Sequence, residues 1–136
     1  AYTATKAAVV ALSESWAGEL EEKGIHVSVL CPAFVQTRIH ESERNRSAQY
    51  QPDELRTSNE KSFANSTKQM VENGIEVSIV GKRVVEALND GEFYIFTHPN
   101  YRPIMQERTA AIDAAFKKSA QSPLLEHIVN QKIEMP

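Results

Sequence analysis

Val9, Leu12, Trp16 and Leu20 recur at steps of three and four residues through an alanine-rich run. Side chains at that spacing share one face of a helix, so the pattern predicts a helix over residues 2–23. Ala7, Ala8, Ala11 and Ala17 add helix propensity and small contacts. Glu19, Glu21, Glu22 and Lys23 crowd the far end, and Gly24 suits the left-handed position that closes a helix. Residues 25–31 then alternate and are rich in β-branched side chains, a strand pattern that Pro32 stops. A helix passing through one glycine into a strand is the αβ half of a crossover unit, and the expected fold class is α/β.

The texture changes over residues 38–70. Polar and charged residues dominate, with Ile39, Tyr50, Leu55, Phe63 and Met70 scattered among them. This pattern predicts an excursion with one or two short helices around residues 52–60, acting as a lid or binding loop; an exposed insertion is the plainer reading. Val77, Val80, Val84, Val85 and Leu88 mark a second helix over residues 76–89, ended by Asn89-Asp90-Gly91. Its Val77–Val80 portion is valine-rich enough to be mistaken for strand. Phe93-Tyr94-Ile95-Phe96-Thr97 is a second strand, closed by His98-Pro99-Asn100. A last amphipathic helix is expected over residues 103–118, with Met105, Ile112 and Phe116 on one stripe. Ser122-Pro123 breaks it, ahead of a short apolar patch at Leu124, Leu125, Ile128 and Val129.

Composition narrows the function classes. With 41% hydrophobic and 24% charged residues over 136 positions, the chain has the balance of a globular domain. A net charge of −3 lacks the basic excess that nucleic acid or an anionic membrane surface attracts. The single cysteine, Cys31, leaves no internal disulfide and fits a reducing, cytoplasmic compartment. No apolar run approaches the length of a membrane span.

Candidate chemistry concentrates at the start of the first helix. Tyr2 and Lys6 stand four residues apart, one turn above the other on one face. A neighbouring ammonium favours the phenolate, which lets a phenol exchange protons with an alcohol or carbonyl near neutral pH. The same spacing arises by chance in many helices, where it is an exposed pair without consequence. The pair gains weight from its neighbours in the chain, since its helix leads into a strand and then into Pro32-Ala33-Phe34-Val35-Gln36-Thr37.

That order resembles the short-chain dehydrogenase/reductase family, nicotinamide-dependent oxidoreductases on a Rossmann fold. In that family a Tyr-x-x-x-Lys helix runs into a strand ending Pro-Gly-x-Val-x-Thr; Ala33 stands here for the glycine. Residues 91–99 look like the family's final sheet strand. The resemblance implies that residues 1–136 are the C-terminal part of one Rossmann-type domain, the latter half of a doubly wound parallel sheet, with 38–70 as the substrate lid. It implies Tyr2 as general acid/base and Lys6 as the residue that tunes it and binds the nicotinamide ribose. Pro32, Val35 and Thr37 would line the nicotinamide of NAD or NADP, with Val35 backbone atoms holding the carboxamide. No metal is expected. The partners implied are a small alcohol or carbonyl substrate, leaning apolar, and further copies of the full-length protein.

The family's glycine-rich phosphate loop, asparagine motif and catalytic serine fall before Ala1 in the family's order and are not in this chain. Ser13 and Ser15 follow the tyrosine and read as helix-surface or helix-contact residues. Cys31 reads as a small core residue, Thr37 as a possible cap of a following turn, and Trp16 as a core or subunit contact. Two alternatives stay open: an epimerase or dehydratase of the extended branch, which shares Tyr-x-x-x-Lys, and a non-catalytic fragment or partner-binding module.

Overall fold

In the computed structural model, residues 2–47, 49 and 58–133 are described. They fall into two compact units divided after His98. The first unit runs α1 (Tyr2–Glu21), β1 (Val29–Cys31), a 3-10 segment (Ile39–Asn45), α2 (Ser58–Glu72), α3 (Val77–Asn89) and β2 (Tyr94–Phe96). The second holds 3-10 turns at Pro99–Tyr101 and Pro123–Leu125 on either side of α4 (Arg102–Ser119).

Both helices that feed the sheet end in the same way. Gly24 has φ 69° and Gly91 φ 68°, the left-handed region that only glycine enters without steric cost. At the first, Ile25 N–H donates to the Leu20 carbonyl (3.2 Å) and Gly24 N–H to Glu21 (2.9 Å). At the second, Glu92 N–H donates to Ala87 (2.9 Å) and Gly91 N–H to Leu88 (3.3 Å). These paired bonds satisfy carbonyls a helix end would otherwise leave open, and they turn the chain into the strand beyond.

β1 and β2 pair in parallel, with Val29 opposite Tyr94, Leu30 opposite Ile95 and Cys31 opposite Phe96. Residues 25–28, expected as strand, lie outside the ladder. A strand extends only as far as its partner does, and β2 begins at Tyr94. One bond prolongs the contact backwards, from Ser28 Oγ to the Glu92 carbonyl (2.8 Å). Opposite residues face the same side of a sheet, so Val29 and Ile95 lie on different faces. Both are buried, at 5% and 2% exposure. Each face therefore has one buried position, beside residues that stay exposed.

The helices divide their faces less simply than the apolar pattern suggests. On α1 the half-buried positions are Val10, Ser13, Ala17 and Leu20, while Val9, Leu12 and Trp16 stay exposed. On α3 the inward stripe is Val80, Arg83, Val84 and Ala87, and Val77, Val85 and Leu88 are exposed. Val77–Val80 is helical throughout. Among the described residues the buried apolar core is Val29, Val71, Ala87 and Ile95.

Among the described residues the excursion holds the 3-10 segment and α2, which is fifteen residues long. The sequence hides this helix because, among its described side chains, Ala64, Thr67 and Val71 turn inward, a stripe too small and polar to show as periodicity. Phe63, at 75% exposure, and Met70 point outward, as does Ile39. Tyr50 and Leu55 lie outside the described residues, as does most of the helix expected at 52–60.

Candidate active site

Parallel strands bring their carboxyl ends to one edge, and here the turn after Cys31 and the Thr97-His98 corner both leave from it. Ligands of open α/β sheets bind beyond that edge. Five residues are expected there from the sequence: Tyr2, Lys6, Pro32, Val35 and Thr37.

Tyr2 opens α1 and is 65% exposed. Lys6 Nζ lies 5.4 Å from the centre of the Tyr2 ring, within the range of a cation–π contact. Helical spacing thus brings ammonium and phenol together. Thr5 Oγ1 donates to the Tyr2 carbonyl at 2.7 Å, as is common for hydroxyls in a helix. Ser13 and Ser15 are helix-surface or helix-contact groups: Ser13 Oγ donates to the Val9 carbonyl (2.8 Å) and Ser15 Oγ to Glu19 (2.9 Å). No described hydrogen bond, ion pair or ring contact joins Tyr2 or Lys6 to the turn after β1.

That turn has a geometry of its own. Pro32 and Thr37 are exposed and Val35 is half-buried. Val35 forms a single parallel bridge with Ile75, in the short link between α2 and α3. Ile75 N–H donates to the Phe34 carbonyl (3.1 Å), and Gln36 N–H donates to the Ile75 carbonyl (2.9 Å). Backbone groups of an extended segment point alternately to either side, so the N–H and C=O of Val35 itself face away from Ile75. The turn therefore offers one donor and one acceptor, side by side, on its other edge. Ala33 has no positive φ, so it fits the backbone without the freedom of a glycine. Thr37 Oγ1 accepts from Ile39 N–H at 3.4 Å, a long bond that only loosely caps the 3-10 segment.

Beyond the turn, Glu41 collects Arg38 Nε (2.6 Å) and Arg44 Nη1 (3.5 Å), and the Arg38 guanidinium holds its carboxyl below the usual range. His40 is tucked beside them, its Nδ1 buried and without a hydrogen-bond partner. At the other strand end, Thr97 Oγ1 and His98 Nδ1 share a hydrogen bond of 2.7 Å. Cys31 is half-buried, and burial raises its thiol pKa, the behaviour of a small packing residue.

Gly74 and Ile75 escape a reading of the sequence. Gly74 matters because a Cβ there would collide with the Phe34 carbonyl. The one available signal is a glycine between two helices, and its contact lies far away along the chain.

Comparison with known proteins bears on the family and the fold. Residues 1–48 match the short chain dehydrogenase family. A CLA biosynthesis dehydrogenase/reductase of Lactiplantibacillus plantarum is 34% identical over 116 residues, covering 82% of this chain and 41% of that protein. A C alpha-dehydrogenase of Sphingobium sp. is 32% identical over 111 residues, 82% of this chain and 36% of the relative. The crystal structure of a short-chain dehydrogenase/reductase from Burkholderia phymatum in complex with NAD superposes with a TM-score of 0.77. It is 32% identical, and the match covers 84% of this chain and 42% of that one. The chain spans about two fifths of the length of these relatives. It belongs to the short-chain dehydrogenase/reductase family and has the α/β architecture of that family's Rossmann-type fold.

Proposed function

We propose, from that membership, that the chain carries the proton-transfer and nicotinamide-facing part of an oxidoreductase interconverting an alcohol and a carbonyl. The observation that carries the reading is the pairing of Tyr2 with Lys6 on the first turns of α1, in a chain whose β1 ends in the Pro32–Thr37 turn.

A primary carboxamide has one carbonyl acceptor and one NH₂ donor. The outward N–H and C=O of Val35 match that pair, so the residues present fit a nicotinamide. When bound, NAD or NADP supplies or removes the hydride. The chain's own residues do the rest. In the reductive direction the Tyr2 hydroxyl donates its proton to the substrate oxygen, and in the oxidative direction it takes that proton back. The Lys6 ammonium lies over the Tyr2 ring and reaches the ribose hydroxyls. Pro32 shapes the turn, Val35 orients the carboxamide and Thr37 offers its hydroxyl beside it. Residues 38–70 serve as the lid; the outward Ile39, Phe63 and Met70 give it apolar contacts for a hydrophobic alcohol or ketone. The complete protein is expected to be a homo-oligomer.

Titration of the complete protein with NADH and NADPH, followed by turnover of a panel of secondary alcohols and ketones, tests the reading. Saturable binding with alcohol-dependent reduction of the oxidised cofactor is expected. A complete protein that binds neither nucleotide would refute it.

A further inference from the structure

The link between α2 and α3 lies against the turn after β1. Three observations meet there. Ile75 is bonded on both sides of Val35, through the Phe34 carbonyl and the Gln36 amide. Gly74 lets the two backbones approach so closely that a Cβ would clash with Phe34 O, Phe34 C and Val35 N. Gly74 does not have a positive φ, so conformational freedom is not what calls for glycine here; the missing side chain is. By contrast a Cβ at Gly18 or Gly81 meets nothing within 4 Å.

We propose that Gly74 and Ile75 form a strap that positions Val35 for recognition of the nicotinamide carboxamide, with Gly74 as the specificity-determining position. The two bonds to Ile75 fix the peptide planes on either side of Val35, and so fix the direction of its own N–H and C=O. A carboxamide needs both at once, in one plane and at one spacing, so even a modest rotation of the turn breaks the match. The strap also joins the lid to the cofactor turn, because Gly74 comes just after α2, with Gly74 N–H donating to the Val71 carbonyl at 3.1 Å. Gly74 and Ile75 are positioning residues; neither touches substrate. The inference rests on the proposed nicotinamide site.

The test compares equilibrium binding of NAD(P)⁺ with that of its 3-acetylpyridine analogue, in which a methyl group replaces the carboxamide NH₂. It uses the complete protein and its Gly74→Ala, Ile75→Pro and Gly81→Ala variants. Gly74→Ala inserts the clashing Cβ; Ile75→Pro removes the donor to Phe34 without adding an atom at Gly74. The wild type is expected to bind the analogue about fivefold more weakly, the worth of one hydrogen bond. Gly74→Ala and Ile75→Pro should weaken the natural cofactor towards the analogue, so that the preference falls to near unity, while Gly81→Ala keeps it. Folded variants that keep the full preference would overturn the strap. So would failure of both variants to fold, which would make the contact structural only. A wild type that binds neither nucleotide refutes the nicotinamide site itself and is told apart by that result.

Discussion

Among single residues, Tyr2 and Lys6 are legible in the sequence because a helix turns a spacing of four into a contact. The 5.4 Å approach of Nζ to the ring comes from local geometry alone. Tyr2→Phe in the complete protein removes the transferable proton and leaves the ring. Turnover should fall roughly 100- to 10,000-fold while cofactor affinity holds, measured by steady-state kinetics beside a binding titration. Lys6→Met should weaken cofactor binding and slow turnover together if, as proposed, one ammonium serves the ribose and the phenol; a change in rate alone would remove the ribose role. Gly74 cannot be read in the same way. Its constraint is a backbone approach to Phe34, and no local pattern marks a contact between segments so far apart in the chain.

Helices α1, α3 and α4 and both strands stand in the sequence as periodicity and punctuation, and the glycines after α1 and α3 mark their ends. Gly91→Ala would hold alanine at φ 68°, at a cost of about 1–2 kcal/mol of stability. Gly81→Ala lies within α3 with open space around it and should gain about 0.5–1 kcal/mol. Denaturant midpoints of the two variants should therefore move in opposite directions. Strand length is overread from sequence, because β-branched residues in 25–28 describe a preference for extension and only a partner makes a ladder. The opposite holds for α2, whose inward stripe of Ala64, Thr67 and Val71 is hardly apolar and leaves the helix unmarked.

A polar contact ties α1 to the sheet. The Tyr94 hydroxyl donates to Glu14 Oε1, and Tyr94 packs edge-on to Phe93 and stacks with Phe96. The hydrogen bond to the Glu14 carboxylate, then partial desolvation, then the charge of Glu14 and of Cys31 raise the Tyr94 pKa above its ordinary value. A raised folded-state pKa stabilises the fold below the unfolded value of about 10 and loses that contribution as pH climbs through the folded one. The α1–β2 tie should therefore hold at neutral pH and release in strong alkali. Ultraviolet titration of the tyrosines should show one late phenol, which Glu14→Gln returns towards the ordinary range.

For the molecule as a whole, the sheet is the deciding feature. Among the described residues it has two strands, with Leu30 and Tyr94 each 41% exposed and Phe96 50% exposed. Parallel sheets are normally covered on both faces and flanked by neighbours, and two strands alone are marginal in water. The 136-residue chain by itself is thus expected to melt without a sharp transition or to self-associate, as calorimetry and sedimentation would show. Ile95, the most buried residue of β2, should lose about 2–5 kcal/mol on Ile95→Ala in the complete protein. None of the described helices is long and apolar enough to cross a membrane.

If this chain supplies the proton-transfer residue of a nicotinamide-dependent oxidoreductase, a single turnover of the complete protein will show it most directly. Enzyme, oxidised cofactor and a secondary alcohol that supports turnover are mixed, and the near-ultraviolet absorbance of the reduced nicotinamide is followed. The wild type should give a burst of reduced cofactor, and Tyr2→Phe the same cofactor binding with the burst nearly abolished. A burst of undiminished rate in Tyr2→Phe would contradict the role given to Tyr2.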